Sequence, residues 1–244
     1  MEIIICRNYD EVSKKAFQVI KDVVTSKEQP VLGLATGSSP IGLYQEWIRD
    51  HKEQHTSYQT LTTFNLDEYV GLPENHPESY RAFMFNNLFD HIDVKKEQVH
   101  LPNGNAADLE QECASYEAAM QQYQIDLQLL GVGRNGHIGF NEPGTPFDQT
   151  THIISLDQKT IEDNARFFNG NLDLVPKQAI TMGIASIMRS KKIVLIACGA
   201  SKADAIYELV HGSQRTACPV TVLQSHADVV VIVDEEAASR IKGA

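Results

Sequence analysis

Along the chain, short apolar runs alternate with longer stretches in which apolar residues return every three or four positions. The runs are EIII (2–5), PVLGLA (30–35), TLTTFNL (60–66), IDLQLLGV (125–132), KKIVLIAC (191–198) and ADVVVIVD (227–234). Most of these runs are apolar at consecutive positions, which is how strands covered on both faces read. Between them, Tyr9–Thr25, Ile41–Lys52, Glu78–Leu88, Ala106–Tyr123, Gln158–Phe168 and Lys202–Val210 read as amphipathic helices. Strand and helix in alternation predict an α/β chain, with a mostly parallel sheet and helices on both faces. No composition shift, proline-rich linker or internal repeat marks a boundary, so residues 1–244 are expected to form a single domain.

Composition narrows the partners. Hydrophobic residues make up 42% of the 244, enough to build a core rather than a disordered chain. A net charge of −11 disfavours nucleic acid and anionic membranes, so an anionic ligand would have to be held by a few placed cations and backbone N–H groups. Cys6, Cys113, Cys198 and Cys218 form no C-x-x-C pair, which argues against zinc ribbons and disulfide frameworks and suits a reducing compartment. The opening MEIIICRNYDE has neither the length nor the charge pattern of a signal peptide, and no apolar segment approaches the ~20 residues of a spanning helix. The expectation is a soluble cytoplasmic protein.

In open parallel sheets, ligands bind beyond the carboxyl ends of the strands. Four loops therefore carry the candidate chemistry: ATGSSP (35–40), NLDEYVGL (65–72), GVGRNGHIGFNEPG (131–144) and CGASKA (198–203). ATGSSP joins a strand to a helix. Its glycine, hydroxyls and helix N-terminus suit phosphate, although an ordinary capped turn reads the same way. CGASKA is a second such junction, and Lys202 in a first helical turn is misplaced against the helix dipole unless an anion sits nearby. Arg166, in NARFF, lies between apolar residues; it is either a third cation for an anion or a buried arginine paired with a carboxylate. Asp67 and Glu68 end a strand, where a carboxylate can do acid–base work or simply form a turn.

The glycine-rich GVGRNGHIGFNEPG holds His137 with Asn135 before it and Glu142 after it. There is no H-E-x-x-H for a metal and no G-x-S-x-G for a nucleophile. His51 and His55 lie in a charged helix end that reads as solvated. What remains is a histidine whose tautomer a carboxylate could fix, freeing the other nitrogen to carry a proton near neutral pH.

At these residues the sequence resembles the glucosamine-6-phosphate deaminase (isomerase) family. The likeness runs through LATGSSP, NLDEY, LPNGNA, GVGRNGHIGFNEPGT, NARFF, VPKQAITMGI and GASKA in order, with NLDEY and GHIGFNEPG the most diagnostic. It implies a modified Rossmann-like sheet and an enzyme that isomerises and deaminates D-glucosamine 6-phosphate, with water, to D-fructose 6-phosphate and ammonia, a hydrolase of amino-sugar catabolism and N-acetylglucosamine utilisation. It also implies roles. His137 would carry the ring-opening proton, assisted by Glu142 and Asn135. Asp67 would move a proton from C2 to C1. Gly37, Ser38, Ser39, Arg166 and Lys202 would hold the 6-phosphate. No metal, nicotinamide or pyridoxal phosphate is implied.

Two departures stand out. Many family members carry Asp where this chain has Asn135, and an amide orients an imidazole without adding charge. Hexameric enteric members bind N-acetylglucosamine 6-phosphate through basic residues after the NEP loop; here TTHIISL puts His152 and Ile154 at those places. The expectation is a monomer or small oligomer without that activation. Two rivals share the scaffold. A 6-phosphogluconolactonase has no need of NLDEY together with FNEPG. A sugar-phosphate-sensing regulator domain would need a DNA-binding module, and a first strand beginning at residue 2 leads us to expect none.

Overall fold

The computed structural model describes residues 1–73, 75–156 and 158–241. Ten strands appear in chain order: β1 (Glu2–Cys6), β2 (Val31–Leu34), β3 (Thr62–Asn65), β4 (Asp67–Tyr69), β5 (Val99–His100), β6 (Leu127–Leu130), β7 (His152–Ser155), β8 (Gln178–Thr181), β9 (Lys192–Ala197) and β10 (Val229–Asp234). The helices are α1 (Tyr9–Thr25), α2 (Ile41–Gln54), α3 (Tyr80–Asn87), α4 (Leu109–Gln121), α5 (Gln158–Asn164), α6 (Ile184–Met188) and α7 (Ala203–His211).

Seven strands form one sheet in the order β1-β10-β9-β6-β2-β3-β5, and every pairing in it is parallel. All residues of β2, β3, β6 and β10 are buried, so both faces are covered, as the unbroken apolar runs require. Each buried Val, Leu or Ile in these strands contributes roughly 1.5–3 kcal/mol of transfer free energy, which sets them at the centre of the molecule. From β2 the chain builds outward through β3 to β5, then returns to the other side of β2 with β6. The switch point of the sheet therefore lies between β2 and β6, where the loops ATGSSP and GVGRNGH begin.

A second, three-stranded antiparallel sheet, β4-β8-β7, stands beside the large one. It carries its own apolar cluster, which includes Tyr69, Phe140, Ile161, Phe168 and Ala179. The apolar pattern alone foretells a single parallel sheet; the structure adds this smaller one, and its strand β4 begins at Asp67.

Helix starts follow local chemistry. Asn8, Ser79 and Asp108 each accept a hydrogen bond from a first-turn N–H, of Glu11, Ala82 and Gln111 respectively. The helix α2 has no side-chain cap; instead the Tyr9 hydroxyl accepts from Gly42 N at 2.7 Å and donates to the Ser38 carbonyl at 3.1 Å. No helix among the described residues is long and apolar enough to cross a membrane.

Candidate active site

A cleft of about 220 Å³ opens over the carboxyl ends of β2, β3 and β6. All four loops singled out from the sequence reach it. It is lined by Gly37, Ser38 and Ser39 after β2, by Asp67 after β3, by Gly133 and His137 after β6, and by Lys202 after β9. Arg166 joins them from a 3-10 turn (Ala165–Phe168) that continues α5.

The structure separates the two neighbouring carboxylates that the sequence leaves equivalent. Glu68 turns away from the cleft and accepts N–H bonds from Tyr69 (2.8 Å), Tyr80 (3.0 Å) and Arg81 (2.9 Å). It thereby anchors the start of α3 and stands outside the cleft lining. Asp67 is only 5% exposed and lines the cleft. Burial, aided by the nearby charge of Glu68, pushes the Asp67 carboxyl up to about 8. Gly139 packs close beside it; a methyl group there would lie 3.5 Å from Asp67 Oδ2.

Asn135, His137 and Glu142 form a connected group. Glu142 Oε2 accepts from Asn135 Nδ2 at 2.9 Å and lies 3.4 Å from His137 Nδ1, an ion-pair separation rather than a well-directed hydrogen bond. The other carboxylate oxygen accepts from the Thr160 hydroxyl. Asn135 also accepts, through Oδ1, from the His137 backbone N–H at 3.2 Å. Burial pushes the Glu142 carboxyl up, but the His137 imidazole and the Thr160 and Asn135 donors outweigh it and hold the group at about 2. The ring lies against Gly133, where a Cβ would come within 2.4 Å of it, so only glycine fits. Of the three, only His137 lines the cleft; Glu142 and Asn135 stand behind it.

At the other end are the candidate phosphate groups. Gly37 sits in the left-handed region at φ 91°, which turns the Ser38–Ser39 segment over the start of α2. Arg166 is exposed, with its guanidinium 4.6 Å from the Phe167 ring centroid, so the alternative of a buried, carboxylate-paired arginine falls. The CGASKA loop differs from the expectation of a second anion cradle. Its Gly199 N–H donates to both Asp234 oxygens at 3.0 Å and its Ala200 N–H to Glu236 at 3.3 Å. The protein's own carboxylates occupy that backbone, and of this loop Lys202 is the residue that lines the cleft.

Sequence reasoning missed three contributions. Thr160 carries no motif; its position is legible only once α5 is seen to pack over Glu142. Arg134 lines the cleft from inside GVGRNGH, where attention went to the histidine. Tyr69, Tyr80, Phe140 and Phe168 form an aromatic wall, with Tyr80 stacked on Phe140 at 5.8 Å and Tyr69 edge-on to Phe168 at 6.1 Å. Among the described residues, no group of three or more His, Cys, Asp or Glu is placed to hold a metal ion.

This geometry has relatives. A solved structure of a monomeric glucosamine-6-phosphate deaminase is 46% identical and superimposes with a TM-score of 0.97 over 98% of this chain and 100% of that one. The glucosamine-6-phosphate deaminase of Thermoanaerobacter pseudethanolicus is 52% identical over 242 residues, 99% of this chain and 95% of the relative. That of Clostridioides difficile is 48% identical over 242 residues, 99% and 97% of the two chains. The 6-phosphogluconolactonase of Trypanosoma brucei superimposes with a TM-score of 0.81 over 98% of each chain at 17% identity, a likeness of fold alone. Residues 8–232 match the model of the glucosamine-6-phosphate isomerases/6-phosphogluconolactonase family, and the chain belongs to that family.

Proposed function

We propose that this chain isomerises and deaminates D-glucosamine 6-phosphate, giving D-fructose 6-phosphate and ammonia. The observation that carries the reading is the buried carboxyl of Asp67, with a pKa raised into the working range, in one cleft with the His137–Glu142 pair. An aldose–ketose shift needs one base that reaches two adjacent carbons and a separate carrier for the ring-opening proton. These two groups meet that need without sharing a proton.

In the proposed sequence, Ser38, Ser39, Arg166 and Lys202 hold the 6-phosphate, with Gly37 framing the turn. The positive charges lie opposite the substrate's dianion, and charged hydrogen bonds of this kind are worth about 1.5–3 kcal/mol each. His137 takes the O1 proton and returns one to O5, opening the ring. Glu142 keeps the imidazole oriented and stabilises its charged form; Asn135 holds Glu142 without adding a second charge. Asp67 then removes the C2 proton and delivers it to C1. The resulting C2 imine takes up water and releases ammonia. The reaction is thus an isomerisation coupled to deamination, and "hydrolase" describes only its last step. It needs side chains alone, no cofactor.

The monomeric relative supports a monomer here, and the family chemistry supports a place for residues 1–244 as one cytoplasmic catalytic domain in the use of amino sugars, N-acetylglucosamine among their sources. The test is release of ammonia and fructose 6-phosphate from glucosamine 6-phosphate, with Asp67→Asn as control. Lactone hydrolysis of 6-phosphogluconolactone with no ammonia release would overturn the reading.

A further inference from the structure

We propose that Thr160 is a positioning residue for ring opening: its hydroxyl, delivered by α5, holds one oxygen of Glu142 so that the other stays on the His137 imidazole. The proposal rests on the deaminase reading above and deepens it.

Glu142 is 6% exposed and Thr160 5%, so solvent has little access to replace their hydrogen bond. The two carboxylate oxygens have divided tasks. One accepts from Asn135 and faces His137 at 3.4 Å; the other accepts from Thr160. Asn135 and His137 sit on the same loop as Glu142, whereas Thr160 comes from a separate element 18 residues further on. Rotation about the last bond of a glutamate side chain is soft, so a carboxylate with an unsatisfied oxygen turns to find a donor. The imidazole contact, already the longest of the set, is the first to be lost when it turns. The segment that positions Thr160 continues into the 3-10 turn bearing Arg166. One stretch of chain therefore carries both a cation for the phosphate end and the hydroxyl that sets the acid–base pair. Capturing the phosphate would settle the same segment that orients Glu142.

With the Glu142 carboxylate 3.4 Å from Nδ1, the neutral ring is expected to keep its proton there and to present Nε2 as the exchanging nitrogen. That tautomer is readable without any turnover. The experiment is ¹⁵N NMR of the neutral His137 ring, alongside steady-state ammonia release, in wild type, Thr160→Val, Thr160→Ala and Thr160→Ser. Wild type and Thr160→Ser are expected to hold the Nδ1–H form. Thr160→Val and Thr160→Ala are expected to show a larger Nε2–H share, with kcat down about 10–100-fold, in the range typical of lost supporting hydrogen bonds. KM should stay within about twofold, because the hydroxyl, although Thr160 lines the cleft, is donated to Glu142 rather than left for the substrate. Thr160→Ala adds no bulk and decides the matter if Thr160→Val does not fold. Wild-type tautomer and kcat in both apolar variants would overturn the proposal. So would a raised KM at unchanged kcat, which would mean that the hydroxyl touches the substrate instead. If wild type releases no ammonia, the deaminase reading fails, while the tautomer still decides whether Thr160 positions His137.

Discussion

Asp67 and Glu68 are adjacent carboxylates, both buried, yet their surroundings differ. Three backbone N–H groups consume the Glu68 carboxylate. Asp67 is left facing the cleft with its proton held by burial. Replacing Asp67 with Asn should lower kcat by ~10²–10⁴, the usual cost of a lost general base, while leaving phosphosugar binding intact. Near-wild-type turnover in a coupled fructose 6-phosphate assay would move the base elsewhere. The raised pKa also fixes a sign. As the proposed base Asp67 would have to be ionised, so kcat/KM for the free enzyme should climb as pH rises through about 8 and fall away below it. The same shift acts on stability. A carboxyl that favours its neutral form in the fold contributes stability that is complete below its unfolded value and lost as pH rises through about 8. Asp67→Asn should therefore melt above wild type at pH 9 by calorimetry, and at pH 5 the gap should shrink.

At the scale of elements, β4 and α3 work as one piece because Glu68 joins them. Glu68→Gln keeps the shape but sets an amide NH2 where a carboxylate oxygen accepts backbone N–H, so the start of α3 should lose about 1–3 kcal/mol, read as a lower denaturation midpoint. The same change removes the charge that adds to burial in raising Asp67, so the acid limb of kcat/KM should move to lower pH. An unmoved limb would mean that Glu68 has no electrical hold on Asp67. On the far side of the cleft, Lys202 at the start of α7 should act on affinity. Lys202→Ala should raise KM for the 6-phosphate by about 10–100-fold, the equivalent of one charged hydrogen bond of roughly 1.5–3 kcal/mol. An unchanged KM would remove it from the site. Elements like these were legible in the sequence to different degrees. The Tyr9–Thr25 helix has the bounds read from its period, and the six apolar runs hold β1, β2, β3, β6, β9 and β10, six of the seven strands of the large sheet. The small sheet escaped because its strands, DEY, HIIS and QAIT, mix polar and apolar residues without a long apolar run, whereas the equally short β2 and β6 sit inside such runs. In β4 the residues are DEY, whose polar groups are buried for the sake of the site rather than the core. The site loops were legible because they follow strands at the switch of a parallel sheet. Thr160 was not, since a threonine in a helix looks the same whether or not a carboxylate lies beneath it.

For the whole molecule, the question is whether a second ligand could speak to the cleft. The chain carries a net charge of −11, so a phosphorylated effector meets a repulsive surface unless fixed cations collect at one place. In the segment where hexameric relatives would supply them, β7 offers His152 and Ile154. The His152 ring is half-buried with Nδ1 on the Thr150 carbonyl at 2.8 Å, and burial lowers its pKa below the ordinary histidine value. At neutral pH it is therefore an uncharged donor already engaged. Ile154 packs against the apolar cluster of the small sheet. Neither side chain can anchor a dianion, and useful coupling between two sites needs ~1–3 kcal/mol of contacts that differ between two states. We therefore expect hyperbolic saturation with glucosamine 6-phosphate, unchanged by N-acetylglucosamine 6-phosphate. A chain that does not use subunit contacts to switch has no need of a hexamer, and light scattering should give a mass near the 27.2 kDa of one chain. The measurement is initial rate against substrate with and without the effector, on the sample whose mass is taken. A sigmoidal curve that straightens when effector is added, at a hexameric mass, would mean that cations outside β7 form an effector site and that the subunits communicate through it.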